Sequence, residues 1–169
     1  QHQMVACRYA RLNNTRSNIT SGGLGTMGFG LPAAIGAKYG APDRTVIAII
    51  GDGGFQMTLQ ELGTIMQFGA DVKILILNNN FLGMVRQWQE LFNDKRYSFV
   101  DITSPDFVTL AKAYHIEGQS ISDRKDLKQA LKTMLDHKGS YLLEVFTGKE
   151  NNVFPMVPQG CSVSEIRLK

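Results

Sequence analysis

The sequence predicts a doubly wound α/β domain, a parallel sheet with helices on both faces. Residues 45–50 (TVIAII) and 73–78 (KILILN) are short, β-branched, almost wholly apolar runs, as strands buried on both faces read. Between them Leu59, Leu62, Ile65, Met66 and Phe68 recur at helical spacing, and Gly69 supplies a stop. The third observation is that polar, glycine-rich stretches fall directly after both strands, where an open parallel sheet places its ligands.

The other elements follow the same logic. Upstream, residues 31–39 (LPAAIGAKY) form a small-residue helix closed by Gly40 and followed by Pro42. Downstream, residues 106–115 and 123–137 carry helical periodicity behind acidic N-caps, and 141–146 (YLLEVF) reads as another strand. Strands alternating with helices at this spacing imply right-handed crossovers. The tail from Lys149 is punctuated by proline and weakly periodic, so residues 1–148 are expected to form the domain and 149–169 a surface arm or lid. Gln1-His2-Gln3-Met4 is not an initiator sequence, and the chain reads as an excised segment that starts just inside its first strand.

Composition narrows the function classes. With 169 residues, 43% of them hydrophobic, one domain with a core of its own is expected. The charge of +3 arises from 18 basic and 15 acidic side chains without a like-charged block, so no nucleic-acid or membrane partner is indicated. Cys7 and Cys161 lie near opposite ends without zinc or disulfide spacing, which fits a reducing, cytoplasmic setting.

The chemistry concentrates at two strand ends. After the first strand comes Gly51-Asp52-Gly53-Gly54, where bare backbone can approach a phosphate beside one carboxylate; after the next comes Asn78-Asn79-Asn80. If the strands are neighbours, Asp52 and Asn79 reach one ion together. Their hard oxygens suit magnesium, which takes one or two protein side chains and then phosphate and water oxygens. Alone, a glycine-rich turn after a strand is often only a turn. Paired with an asparagine doublet one helix later, it points to a metal-held diphosphate.

These residues resemble the signature of thiamine-diphosphate enzymes. GGLGTMGFGLPAAIGAK, MTLQELGTIMQFGADVKILILNN, LGMVRQWQELF and FPMV together resemble the catalytic large subunits of the acetolactate (acetohydroxyacid) synthase family over essentially the whole chain. The resemblance implies that Asp52, Asn79 and the backbone carbonyl of Phe81 bind Mg2+. It implies that Gly53, Gly54 and Gly83 contact the diphosphate, with Gln1 and His2 reaching it from the opposite side. Met27 would wedge the cofactor into its bent form, the Gly25 carbonyl would accept from its 4′-amino group, and Met84 and Val85 would line the pocket beside the thiazolium. Trp88 would face the second substrate and favour 2-ketobutyrate. From spacing alone, though, Met84, Val85, Trp88, Leu91 and Phe92 form an ordinary apolar helix face, and Trp88 reads as core.

The implied reaction is decarboxylation of pyruvate and condensation with a second 2-ketoacid. The family's essential glutamate lies in a separate pyrimidine-binding domain of a neighbouring subunit, so no catalytic residue is expected in this chain. A middle domain, also outside it, supplies most of the FAD site. A homodimer or larger assembly and a small regulatory subunit are further implications. Among nearby rivals are other enzymes of the superfamily, such as pyruvate oxidase or a 2-ketoacid decarboxylase, and a non-catalytic magnesium-phosphate module. His115, His137 and Glu61 are read as structural.

Overall fold

The structure, a computed structural model, describes residues 1–168. Lys169, the last residue of the expected arm, lies outside the described residues. Four strands, β1 (Val46–Gly51), β2 (Val72–Asn78), β3 (Glu117–Ile121) and β4 (Tyr141–Phe146), form one parallel sheet in the order β1-β2-β4-β3. Among the described residues seven α-helices accompany them: α1 (His2–Tyr9), α2 (Gly30–Gly40), α3 (Asp52–Gln56), α4 (Leu62–Phe68), α5 (Gly83–Phe92), α6 (Phe107–Ala113) and α7 (Leu127–Asp136).

Side-chain alternation divides the core into two layers. On one face Ala48, Ile50, Ile74, Ile76 and Leu142 pack against Leu31 and Ile35 of α2, Phe55 of α3, Leu62 and Ile65 of α4, and Phe107 and Ala111 of α6. On the other, Tyr141 and Leu143 pack against Ala130 and Met134 of α7. This is the expected double winding. Phe55 and Phe107 meet edge to face, with centroids 5.2 Å apart, at the centre of the larger layer. Phe107→Ala is therefore expected to destabilise the fold by about 3–5 kcal/mol, read as a shift in denaturant midpoint. A cost under about 1 kcal/mol would mean that this layer does not hold the domain together.

Local chemistry explains where the helices stop and start. Gly69 ends α4 at φ 65°, the left-handed conformation a side chain resists. The Asp106 carboxylate accepts from the Thr109 backbone N–H at 2.8 Å at the start of α6, and Asp123 accepts from the Lys125 N–H at 2.9 Å in the turn that leads into α7. Glu61, just ahead of α4, accepts from the Thr64 hydroxyl at 2.8 Å, a local helix-end role as expected.

Three expectations need correction. The opening residues are not the end of a strand: HQMVACRY forms α1, made of adequate helix formers and tied down by Arg8, which donates to the carbonyls of Phe154 and Pro155. The run 45–50 is not buried on both faces. As an edge strand, β1 has β2 on one side only, and α7 covers β3 and β4 rather than β1, so Ile47 and Ile49 stay 43% and 39% exposed. The third concerns α5, whose buried residues are Arg86 and Gln87 rather than the apolar set. Arg86 pairs with Glu90 at 2.9 Å and lies over the rings of Phe81 and Tyr97.

Gln87 shows why a polar side is turned inward. Its amide brackets Val153, accepting from the Val153 N–H at 2.8 Å and donating to the Val153 carbonyl at 3.3 Å. The segment after β4 is thereby laid along α5, and Gln1 grips it again by donating to the Asn151 carbonyl at 2.7 Å. Among the described residues no helix is long and apolar enough to cross a membrane, and Cys7 and Cys161 are free and exposed.

Candidate functional site

The two chemically marked strand ends come together. Strands β1 and β2 pair in parallel register, Gly51 opposite Leu77, so α3 begins at Asp52 beside the point where β2 runs out into Asn78-Asn79-Asn80. Asp52 is 1% exposed. Its carboxylate accepts from the Ser104 hydroxyl at 3.3 Å. Burial pushes its pKa above the ordinary value, and its polar neighbours, Ser104 among them, only partly oppose the shift. None of the ion pairs among the described residues involves it. A buried carboxylate without a counter-ion is costly by itself and suits a cation.

The loop beyond β2 is held firmly. Asn80 stands at φ 54°, a left-handed conformation, stabilised by its N–H donating to the Asn78 side chain at 3.0 Å. The Asn79 side-chain oxygen accepts from the Phe81 N–H at 3.1 Å, and its amide donates to Gln1 Oε1 at 3.2 Å. Phe81 faces Asp101 across an antiparallel bridge whose hydrogen bonds are made by the flanking residues, Leu82 N–H to Val100 and Ile102 N–H to Asn80. In such a non-hydrogen-bonded pair the Phe81 carbonyl is left free of the bridge. Asp52, Asn79 and Phe81 thus offer carboxylate, amide and carbonyl oxygens, the hard donors that magnesium takes. Among the described residues no group of three or more His, Cys, Asp or Glu side chains could hold a metal, so a soft-metal site has no candidate.

The glycines divide into two kinds. A Cβ on Gly53 would come within 2.9 Å of Leu82 Cδ2, 3.0 Å of Ile102 Cδ1 and 3.5 Å of Met27 Cε, so a side chain there would have to displace the ends of these neighbours. On Gly83 it would meet Gln1 Oε1 at 2.1 Å. Gly54, by contrast, would make only ordinary contact with Ile50. Met27 is brought over the Gly53 turn by the loop 21–28, in which Gly25 adopts φ 64° and Thr26 N–H donates to the Ser21 hydroxyl at 3.0 Å. His2 Nδ1 lies 3.0 Å from the Cβ position of Gly51. Burial pushes its imidazole well below the ordinary value, so His2 is neutral at physiological pH.

On α5 the outcome differs from the core reading. Trp88 is 38% exposed and stacks on Phe92 with centroids 4.8 Å apart, and Val85 is also exposed. Met84 is half-buried at the first turn. His115 and His137 lie away from this cluster, His137 as the cap of α7 against Tyr141. Ser104 was not legible beforehand, since a serine in ITSPD carries no signal of its own.

A family model described as "Thiamine pyrophosphate enzyme, C-terminal TPP binding domain" matches residues 1–145. The chain belongs to this family. As a thiamine-diphosphate-binding domain it is 50% identical over 165 residues to the mitochondrial acetolactate synthase catalytic subunit of Aspergillus candidus, covering 98% of this chain and 24% of that protein. It is also 50% identical over 170 residues to the acetolactate synthase isozyme 2 large subunit of Escherichia coli, covering 100% of this chain and 31% of the other. A solved relative, the thiamine diphosphate-dependent 4-hydroxybenzoylformate decarboxylase of Rhodococcus jostii RHA1, superposes with a TM-score of 0.67 at 37% identity over 72% of this chain and 23% of its own. The domain thus spans about a quarter to a third of the length of the curated relatives it matches. The resemblance seen in the sequence is borne out at the level of family and relatives.

Proposed function

We propose that this domain supplies the diphosphate- and magnesium-binding wall of an acetolactate synthase, which decarboxylates pyruvate and condenses it with a second 2-ketoacid. The observation that carries the reading is the buried Asp52 carboxylate, without a counter-ion, at the adjoining ends of two paired strands, the second of which runs out into Asn79. Asp52, Asn79 and the Phe81 carbonyl hold Mg2+. The main chain at Gly53, Gly54 and Gly83 lies against the diphosphate, and Gln1 and His2 close on it from the side of α1. Met27 supports the bent cofactor while the Gly25 carbonyl orients its aminopyrimidine, and Met84 and Val85 exclude water beside the thiazolium. When bound, thiamine diphosphate supplies the carbon nucleophile and electron sink for 2-ketoacid decarboxylation.

Trp88 faces the second substrate. Its partial exposure at the outward side of α5 supports this, because a core role would have buried it. The parent is a homodimer or larger assembly that also carries FAD and meets a small regulatory subunit, and residues 149–168 form an arm beside the site. A reducing, cytoplasmic setting accords with two free, exposed cysteines.

The test is product identification from pyruvate, alone and with 2-ketobutyrate, in the full-length parent and its Trp88→Leu variant. Acetolactate is the expected product, and the variant is expected to lose about tenfold or more of its preference for 2-ketobutyrate, the scale of a changed apolar pocket contact. Acetaldehyde instead would make the parent a decarboxylase, the activity in the name of the solved relative. An unchanged preference would return Trp88 to a packing role.

A further inference from the structure

The face that carries Asn78 holds a second buried carboxylate, and the cofactor-binding reading above assigns it nothing. Glu144 lies in the middle of β4 and is 3% exposed, yet none of the ion pairs among the described residues involves it. Its Oε1 accepts from Asn78 Nδ2 at 2.7 Å, and its Oε2 accepts from the Ser120 hydroxyl at 2.5 Å, on the strand directly opposite. Asn78 is 2% exposed, and its side-chain oxygen accepts from the Asn80 N–H at 3.0 Å. Polar side chains therefore run across three neighbouring strands, from Ser120 through Glu144 to Asn78, and end in the turn that carries Asn79 and Phe81. On the open side the row borders a cavity of about 390 Å³ also lined by Ser104, Asp106 and Phe146.

We infer that Glu144 is a positioning residue for the metal-binding loop, acting through Asn78. The Glu144 Oε1 is the acceptor in its bond with Asn78, so it fixes which way the Asn78 amide faces: nitrogen toward Glu144, oxygen toward the Asn80 N–H. That second bond holds Asn80 in its left-handed conformation, and Asn80 in turn sets the directions of the Asn79 side chain and the Phe81 carbonyl. Without Glu144 the buried amide lacks a reason to keep its orientation, and the turn loses the brace for a conformation that asparagine adopts at some cost. Groups that orient metal ligands from behind typically alter metal affinity by 10–100-fold. In a strand that is otherwise YLL-VF, the acid is the single side chain that breaks the apolar run, and the loop geometry gives a reason for it.

The inference rests on the magnesium reading, and its test separates the two. Mg2+ is titrated calorimetrically into the full-length parent saturated with thiamine diphosphate, with thermal midpoints recorded alongside. Glu144→Met, which keeps volume but removes both acceptors, is expected to raise the Mg2+ dissociation constant about 10–100-fold, while Glu144→Gln, which retains an acceptor for Asn78, stays close to the unsubstituted protein. Asn78→Ala should weaken Mg2+ to a similar degree, and combining it with Glu144→Met should add little, because both act through one chain of contacts. A folded Glu144→Met protein with unchanged Mg2+ affinity, or fully additive losses in the double variant, overturns the inference. Where Glu144→Met does not fold, Asn78→Ala decides alone, and unchanged Mg2+ binding overturns it. Asp52→Ala is the control: if it binds Mg2+ normally, the magnesium reading itself fails, whereas loss there with no effect at Glu144 and Asn78 removes only the present inference.

Discussion

Asp52→Ala in the full-length parent is expected to eliminate magnesium-dependent binding of thiamine diphosphate and, with it, acetolactate formation. The argument is electrostatic. Asp52 is the anionic oxygen of the candidate ligand set; Asn79 and the Phe81 carbonyl bring only dipoles. Substituting groups that merely orient ligands costs 10–100-fold in metal affinity, so removing the one charged ligand should exceed about 100-fold. The variant should not suffer in the absence of metal. Burial raises the Asp52 pKa above its ordinary 3.8, so the metal-free fold binds the proton more tightly than the unfolded chain does. The ionised carboxylate is then a burden that builds up as pH rises from that value through the folded-state pKa and stays constant above it. At neutral pH, Asp52→Ala should therefore match or exceed the thermal midpoint of the metal-free parent, while losing the rise that Mg2+ and thiamine diphosphate produce by binding the native state. Differential scanning calorimetry with and without the pair reads both effects. A variant that keeps the ligand-induced rise would mean that the metal sits elsewhere.

The second large effect concerns the chain by itself. At saturating thiamine diphosphate, Mg2+ and pyruvate, the purified 169-residue chain is expected to form no measurable acetolactate. It presents one wall of a site: Met27, Val85 and Trp88, the side chains proposed to touch cofactor and substrate from this side, are 45%, 45% and 38% exposed. Correct positioning of reactants can supply about 7–11 kcal/mol of a barrier, equivalent to roughly 10⁵–10⁸ in rate, and a cofactor held from one side forfeits most of it. Sustained acetolactate production by the chain alone, detected by its conversion to acetoin in acid, would sink the proposal that the site is shared with other parts of the parent.

How much of this was legible beforehand depends on what each residue type reveals. The apolar runs ending in Gly51 and Asn78, with a helix between them, sufficed to bring Asp52 and Asn79 together, because parallel neighbours with right-handed crossovers leave few arrangements. The acidic helix starts at Asp106 and Asp123 and the stop at Gly69 are local devices and could be read locally. Strand β3 could not: EGQSI has neither alternation nor an apolar run, and it is a strand because β4 pairs with it and Gly118 lets the Leu142 backbone come close. Periodicity located the apolar side of α5 correctly and assigned it the wrong environment. Burial there is decided by the polar contacts of Arg86 and Gln87 with Glu90 and Val153, which helical spacing does not encode. At the site, Asp52 and Asn79 announced themselves by their place after strands. Ser104 and the Asn78–Glu144 pair depend on long-range approach, and only the acid inside YLLEVF gave a hint.

Strand β1 has a further consequence for handling the chain. Its six residues, VIAIIG, contain no charge or proline, and among the described residues one flank lacks a neighbouring strand. Helix α1 also lies against β1, and wherever it leaves this border open the amide and carbonyl groups are a template on which an extended peptide can pair its own backbone. A short, uncharged, β-branched window of this kind also matches the composition of segments that stack into cross-β assemblies. Concentrating the isolated domain therefore sets folding against aggregation at one identifiable place, the outer margin of β1, and a lysine introduced at Ile47 would blunt that margin without touching the glycine-rich turn beyond Gly51.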